Sequence, residues 1–173
     1  REKIDLALTM AELEDLYLPF RPKRRTRATI AREKGLEPLA RLIMEQKETD
    51  PERIAGDFIS DSVADASEAI AGAGDIIAEW INEDQTARMR LRNLYEREAV
   101  IYSKAVKGKE TDGIKFRDYF DWSEPLRKCP SHRLLAMRRG EEEGFLRLAI
   151  LPDEEKATGI LDSLFVTGRN KSS

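Results

Sequence analysis

Apolar residues recur at helical spacing along most of this chain. Thr9 and Glu12 make a T-x-x-E capping pair, and Leu13, Leu16, Tyr17 and Phe20 follow on one face at i, i+3, i+4 and i+7. Pro19 and Pro22 break that helix and leave 21–27 as an extended or turning strap. Thr26 then caps a short helix over 27–34, which Gly35 ends in the left-handed conformation. Pro38 suits the first turn of a third helix reaching about Gln46, and Asp50-Pro51 repeats the grammar of a capping acid followed by proline.

The pattern predicts a longer helix over 66–82, with Ile70, Ala73, Ile77 and Ile81 on one face. Gly72 and Gly74 weaken it by roughly 1 kcal/mol each relative to alanine, but small residues there let a neighbouring helix come close. A partner helix over 84–98 turns Leu91, Leu94 and Tyr95 inward. The β-branched and aromatic run 99–106 reads as extended, and 108–113 as a polar loop. Phe116, Tyr119, Phe120 and Trp122 form an aromatic turn before Pro125 and Pro130. Ser131 caps a short helix ending near Gly144; 145–151 alternates as a strand; a weak helix over 158–166 leads into a polar tail.

The expected fold is mainly α: an irregular multi-helix bundle with helical hairpins and one or two short β-strands near 99–106 and 145–151. A helix-turn-helix-like element falls within 27–46. Four segments follow from this reading: 9–48, a helical hairpin with the basic strap; 49–110, a long helix pair; 111–151, an aromatic turn, short helix and strand; and 152–173, a weak helix and tail. Opening at Arg1 inside an apolar-periodic stretch, the chain reads as a piece of a longer protein.

The composition narrows the chemistry. Of 173 residues, 40% are hydrophobic and 36% charged, enough for a real core under a charged surface, and the net charge is −3. Any nucleic-acid contact must therefore come from a local patch. A single cysteine, Cys129, excludes an internal disulfide and suits a reducing cytoplasm. No apolar run approaches the roughly 18 residues that would suggest a membrane span. A single histidine, His132, excludes a histidine dyad or a multi-histidine metal site, and a polar or capping role suits it better. Asp118, Asp121 and Glu124 make a small acidic cluster without a glycine-rich ligand loop. Ala71-Gly72-Ala73-Gly74 lacks the spacing of a phosphate loop, and no nucleophile motif appears. Neither an enzyme nor a cofactor site is expected.

The strongest local feature is the strap. Arg21, Lys23, Arg24, Arg25, Arg27, Arg32 and Lys34 lie within fourteen residues, opposed in that stretch only by Glu33. Such a patch can neutralise phosphates and release their counterions. It can equally be structural, its arginines pinned to acidic helix ends. On 131–144, Arg133 and Arg139 are weaker candidates for a nucleic-acid backbone, whereas Arg138 and Arg139 can pair with glutamates three or four residues on. Of the aromatic residues, Phe20 beside the strap is the best placed to stack on a single-stranded base.

Two blocks carry a family resemblance. The run 12–40, ELEDLYLPFRPKRRTRATIAREKGLEPLA, and the run 115–148, KFRDYFDWSEPLRKCPSHRLLAMRRGEEEGFLRL, resemble blocks of the Tex-type transcription accessory proteins, with AIAGAGDIIAEWI between them in the family's order. Phe20 stands where tyrosine is expected and Cys129 where an aliphatic residue is. The resemblance implies a bacterial relative of a eukaryotic transcription elongation factor. Such a protein combines a helical N-terminal region, an RNase H-like domain, helix-hairpin-helix elements and a C-terminal OB-type RNA-binding domain. It further implies that this segment lies in the helical N-terminal region, without the RNase H-like acids. Its partners would be RNA or DNA, through backbone phosphates, the remaining Tex domains and the transcription machinery. Two functions stay open: a scaffold adding sequence-independent binding through Arg21, Lys23, Arg24, Arg25 and Arg27, or a protein-docking module.

Overall fold

The helix at the centre of the first half begins at an acidic cap. Asp65 accepts from the Glu68 N–H at 2.8 Å, and Glu68 reaches back to the Ala64 N–H at 2.7 Å, close to a capping box. In the computed structural model, which describes residues 25–47 and 50–167 with Met10, Glu14 and Tyr17, this helix runs Ala66–Glu83. Before it come α1 (Arg27–Glu33), α2 (Glu37–Glu45) and α3 (Pro51–Ala55), so the long helix is α4. After it come α5 (Gln85–Glu98), β1 (Val100–Ala105), β2 (Asp121–Pro125), α6 (Ser131–Glu142), β3 (Leu146–Leu151) and α7 (Glu154–Phe165). The expected helix over 9–20, Phe20, Arg21, Lys23, Arg24 and the tail from 168 lie outside the described residues, apart from helical Met10, Glu14 and Tyr17. Mainly helical with a small sheet, the fold is of the expected class. No helix among the described residues is long and apolar enough to cross a membrane.

The chain divides into two compact units, one reaching Met89 and resuming at Leu161, the other Arg90–Ile160. In the first, α1, α2 and α3 all pack on α4. Ala28, Ala31, Leu36, Leu39, Ala40 and Ala55 meet Ala69, Ala73 and Ile76 in the core. The buried stripe of α4 is thus centred on Ala69, Ala73 and Ile76, with Ile70 and Ile77 at its margin. Only Gly72 serves close packing: a Cβ there would fall 2.4 Å from Leu36 Cδ1, whereas one at Gly74 would meet nothing within 4 Å. Thr26 and Asp50 cap as expected, and Gly35 takes a φ of 80°. Gln46 ends α2 at φ 54°; its amide donates to the Phe165 carbonyl at 2.5 Å and accepts from the Thr167 N–H at 2.8 Å.

In the second unit, Leu94 of α5 is buried but Tyr95, expected inward, is 39% exposed. The sheet is antiparallel in the order β2-β1-β3. Its inner face carries Ile101, Ser103 and Leu146 against Met137 of α6 and Phe116 of a 3-10 turn, Ile114–Tyr119. Gly140 admits this contact, since a Cβ there would come within 2.6 Å of Leu146 Cδ1. Buried Ser103 donates to the Tyr119 carbonyl at 2.7 Å. Three local expectations change. The aromatic turn continues into a third strand, β2, whose residues alternate in burial. Ser131 is the first helical residue and caps nothing. α7 starts at Glu154, because Asp153 accepts from the Lys156 N–H at 3.0 Å.

Candidate nucleic-acid interface

The described part of the strap is laid along an acidic stripe. Glu68, Asp75 and Glu79, at i, i+7 and i+11, share the edge of α4 that also holds Gly72. Arg32 pairs with Glu79 at 2.7 Å and with Glu37 at 3.6 Å; Lys34 pairs with Glu68 at 2.6 Å. The Lys34 hydrogen bond, with the Ala64 N–H, holds the Glu68 carboxyl below its ordinary range. Thr26 adds a hydroxyl donated to Glu79 at 3.3 Å. These contacts fasten α1 to α4.

Further out the fastening loosens. Arg25 meets Glu33 at 2.6 Å with its side chain 68% exposed, and Arg27 approaches Asp75 at 3.4 Å with its side chain 86% exposed. Both sit at the N-terminal end of α1, continuing the cation-rich stretch that begins at Arg21. α1 and α2 do form two short helices about Gly35, but each lies on α4. Arg41 of α2 is occupied by Glu37 at 2.7 Å and lies 5.6 Å from the Trp80 ring centre.

The α6 arginines lie apart from each other. Arg133 points to β2: it pairs with Glu124 at 2.6 Å and lies 4.9 Å from the Trp122 ring centre. Burial pushes the Glu124 carboxyl up, but hydrogen bonds from Arg133, Cys129 and Trp122 outweigh it and the net direction is down. Burial, then Glu124, pushes the Cys129 thiol up. Arg139 faces the other way, meeting Glu143 at 2.9 Å with its side chain largely exposed. Lys115 also reaches Glu143, at 2.5 Å, and these two cations hold that carboxyl low. Arg138 pairs with Glu141, the spacing anticipated from the sequence. Beside Arg139 a cleft of about 530 Å³ opens, lined by Lys115, Asp118, Tyr119, His132 and Leu135. Asp118, Asp121 and Glu124 do not converge: no group of acids, histidines or cysteines among the described residues could hold a metal.

Comparison with known proteins decides the family. Residues 46–168 match the family model described as Tex central region-like. The chain belongs to the Tex family. Relatives include "Protein tex" of Bordetella pertussis, 47% identical over 87% of this chain and 19% of that protein. The "Transcriptional accessory protein Tex" of Neisseria gonorrhoeae is 44% identical over 91% and 21%, and "Protein YhgF" of Escherichia coli 46% over 88% and 20%. This Tex segment therefore spans about a fifth of the length of the curated relatives it matches.

Two features of the Tex segment were missed from the sequence. The acidic stripe of α4 was legible as a spacing of 68, 75 and 79, but its partner depended on which helix packs there. Arg133 was read as a candidate backbone contact, and its partner in the fold, Glu124, comes from a strand that had been read as a turn.

Proposed function

We propose that this segment is a helical scaffold of a transcription accessory protein that contributes sequence-independent nucleic-acid binding through backbone phosphates. The observation that carries it is the exposure of Arg25 and Arg27, which stand at 68% and 86% in surface pairs at the N-terminal end of α1. Exposed ion pairs contribute at most about 1 kcal/mol, so a phosphate can replace the carboxylate at little cost. Arg21, Lys23 and Arg24 extend the same cationic run in sequence, and Arg139 offers a further exposed guanidinium. Arg133 is the weakest of the candidates, because Glu124 and Trp122 already hold it. The printed name of the gonococcal relative supports a transcription role, and a cytoplasmic setting is part of this proposal. Chemistry of its own is no part of this reading, since Glu124 is committed to Arg133 and Asp118 stands exposed.

The test is a titration of the chain into labelled single-stranded RNA and duplex DNA at several salt concentrations, beside an Arg24→Glu, Arg25→Glu variant. Binding with a log–log salt slope near −0.7 per phosphate on single strands or about −0.9 on duplex, weakened in the variant, supports the reading. Absence of binding by both folded proteins rejects it. A second reading, protein docking by the strap, draws on one observation: each described cation from 25 to 34 already has an acidic partner.

A further inference from the structure

The outer face of the sheet presents positive charge that enters no ion pair among the described residues. Lys104 on β1 and Arg147 on β3 stand opposite each other in register. Both are exposed. Neither enters an ion pair among the described residues, and unlike the other unpaired cations of the unit these two stand opposite each other in register. Like charges directly opposite across two strands destabilise a sheet. Asp121, also in register with Lys104, adds one negative charge, so the row holds two cations against one carboxylate. A bound polyanion would relieve that repulsion.

Two residues back along β1, about 7 Å away, is Tyr102. It sits on the central strand and is 40% exposed. Its register partners are Ser123 on β2 and Ala149 on β3, both small and both exposed. A large neighbour on either strand would cover the ring; these leave its flanks open. Beyond Tyr102 the next row is apolar, Val100 between Pro125 and Leu151, with Leu151 50% exposed. The face thus runs from an apolar ledge, through an open aromatic ring, to a pair of free cations. Base-stacking on an aromatic ring beside cations that follow the backbone is the chemistry of single-strand binding.

We propose that this face binds single-stranded nucleic acid, one base stacking on Tyr102 while Lys104 and Arg147 meet the adjoining phosphates. The proposal rests on the nucleic-acid reading above and gives it a second contact surface. A protein partner would also use the apolar ledge, but it would need carboxylates opposite Lys104 and Arg147, whereas a single strand supplies base and phosphates together.

The test is fluorescence anisotropy of the 173-residue chain with labelled U10 RNA, across a salt series. Four variants go beside the wild type: Tyr102→Ala, Tyr102→Phe, Lys104→Glu with Arg147→Glu, and Arg25→Glu with Arg27→Glu. All substituted side chains are exposed at the surface, and unchanged thermal melts confirm folding. Tyr102→Ala should weaken binding about fivefold or more, the loss of one stacked base. Tyr102→Phe, which keeps the ring, should bind within about twofold of wild type. The sheet double variant should weaken binding and lower the salt slope by about 1.4, the worth of two single-strand phosphates. If both sheet variants bind as wild type while the strap variant fails, the sheet proposal is overturned, the face is left to a protein partner, and the phosphate reading stands. Weakening in the sheet double variant with none in Tyr102→Ala overturns the stacking step. No binding by the folded wild type overturns both readings together.

Discussion

The two units use positive charge in opposite ways. In the helical unit, cations dense along the chain are folded onto an acidic stripe, so Arg32 and Lys34 act as fasteners between α1 and α4. In the sheet unit, two cations distant along the chain, Lys104 and Arg147, come opposite each other by strand pairing, and neither enters an ion pair among the described residues. Charge density in sequence and charge presented to a ligand are therefore different quantities. The first is read along the chain; the second depends on which faces the fold brings opposite one another.

Several substitutions would break or sharpen this contrast. The largest effects belong to the cores that hold each arrangement in place. Leu39→Ala in the helical unit and Ile101→Ala in the sheet unit, both fully buried, should each lower unfolding free energy by about 2–5 kcal/mol in urea titrations. A loss below about 1 kcal/mol for either would mean that its core is not built as described. Next come the glycines of α4. Gly72→Ala drives a Cβ to 2.4 Å from Leu36 Cδ1, and overpacking of about 1–3 kcal/mol should exceed the roughly 1 kcal/mol gained in helix propensity. Gly74→Ala has open space around it, so it should stabilise by up to about 1 kcal/mol. Equal signs in thermal melts of this pair would contradict the packing of α1 and α2 on α4.

Smaller effects separate fasteners from free charges. Glu79→Gln removes the closer carboxylate partner of Arg32 and should cost about 1 kcal/mol. Arg25→Ala should change stability by less than about 0.5 kcal/mol while still weakening RNA binding. Equal destabilisation by the two would erase the distinction between inner and outer strap. Acid gives a related test in the sheet unit. The folded Glu124 carboxyl lies below its ordinary value of 4.5. Its contribution is therefore full above that value and lost as pH falls through the depressed folded value. Wild type should lose more thermal stability than Glu124→Gln as pH drops below about 4.5; parallel curves would show that the Arg133 pair contributes nothing.

Much of this was legible beforehand because local chemistry decided it. Thr26, Gly35 and Asp50 each act within a turn or two, and the periodicity of 66–82 placed α4 within one residue at its C-terminal end. β2 was missed because five residues ending in Pro125, with aromatics in front, resemble a turn until β1 is beside them. Asp153 was passed over as a cap because the apolar spacing behind it is weak. The strap was correctly seen as basic, but the acids of α4 that pair with Arg27, Arg32 and Lys34 lie 34 to 48 residues away in sequence. Lys104 and Arg147 were unremarked for the same reason reversed: forty-three residues apart, they become neighbours only through the register of β1 with β3.

The most direct measurement is an amide chemical-shift map of the labelled chain titrated with U10 RNA. Perturbations are expected at Arg25–Arg27 and on the sheet face at Tyr102–Lys104 and Arg147–Ala149, with Arg133 and Glu124 unmoved. Perturbations centred on Arg133 and Glu124, or none at saturating RNA, would contradict that expectation.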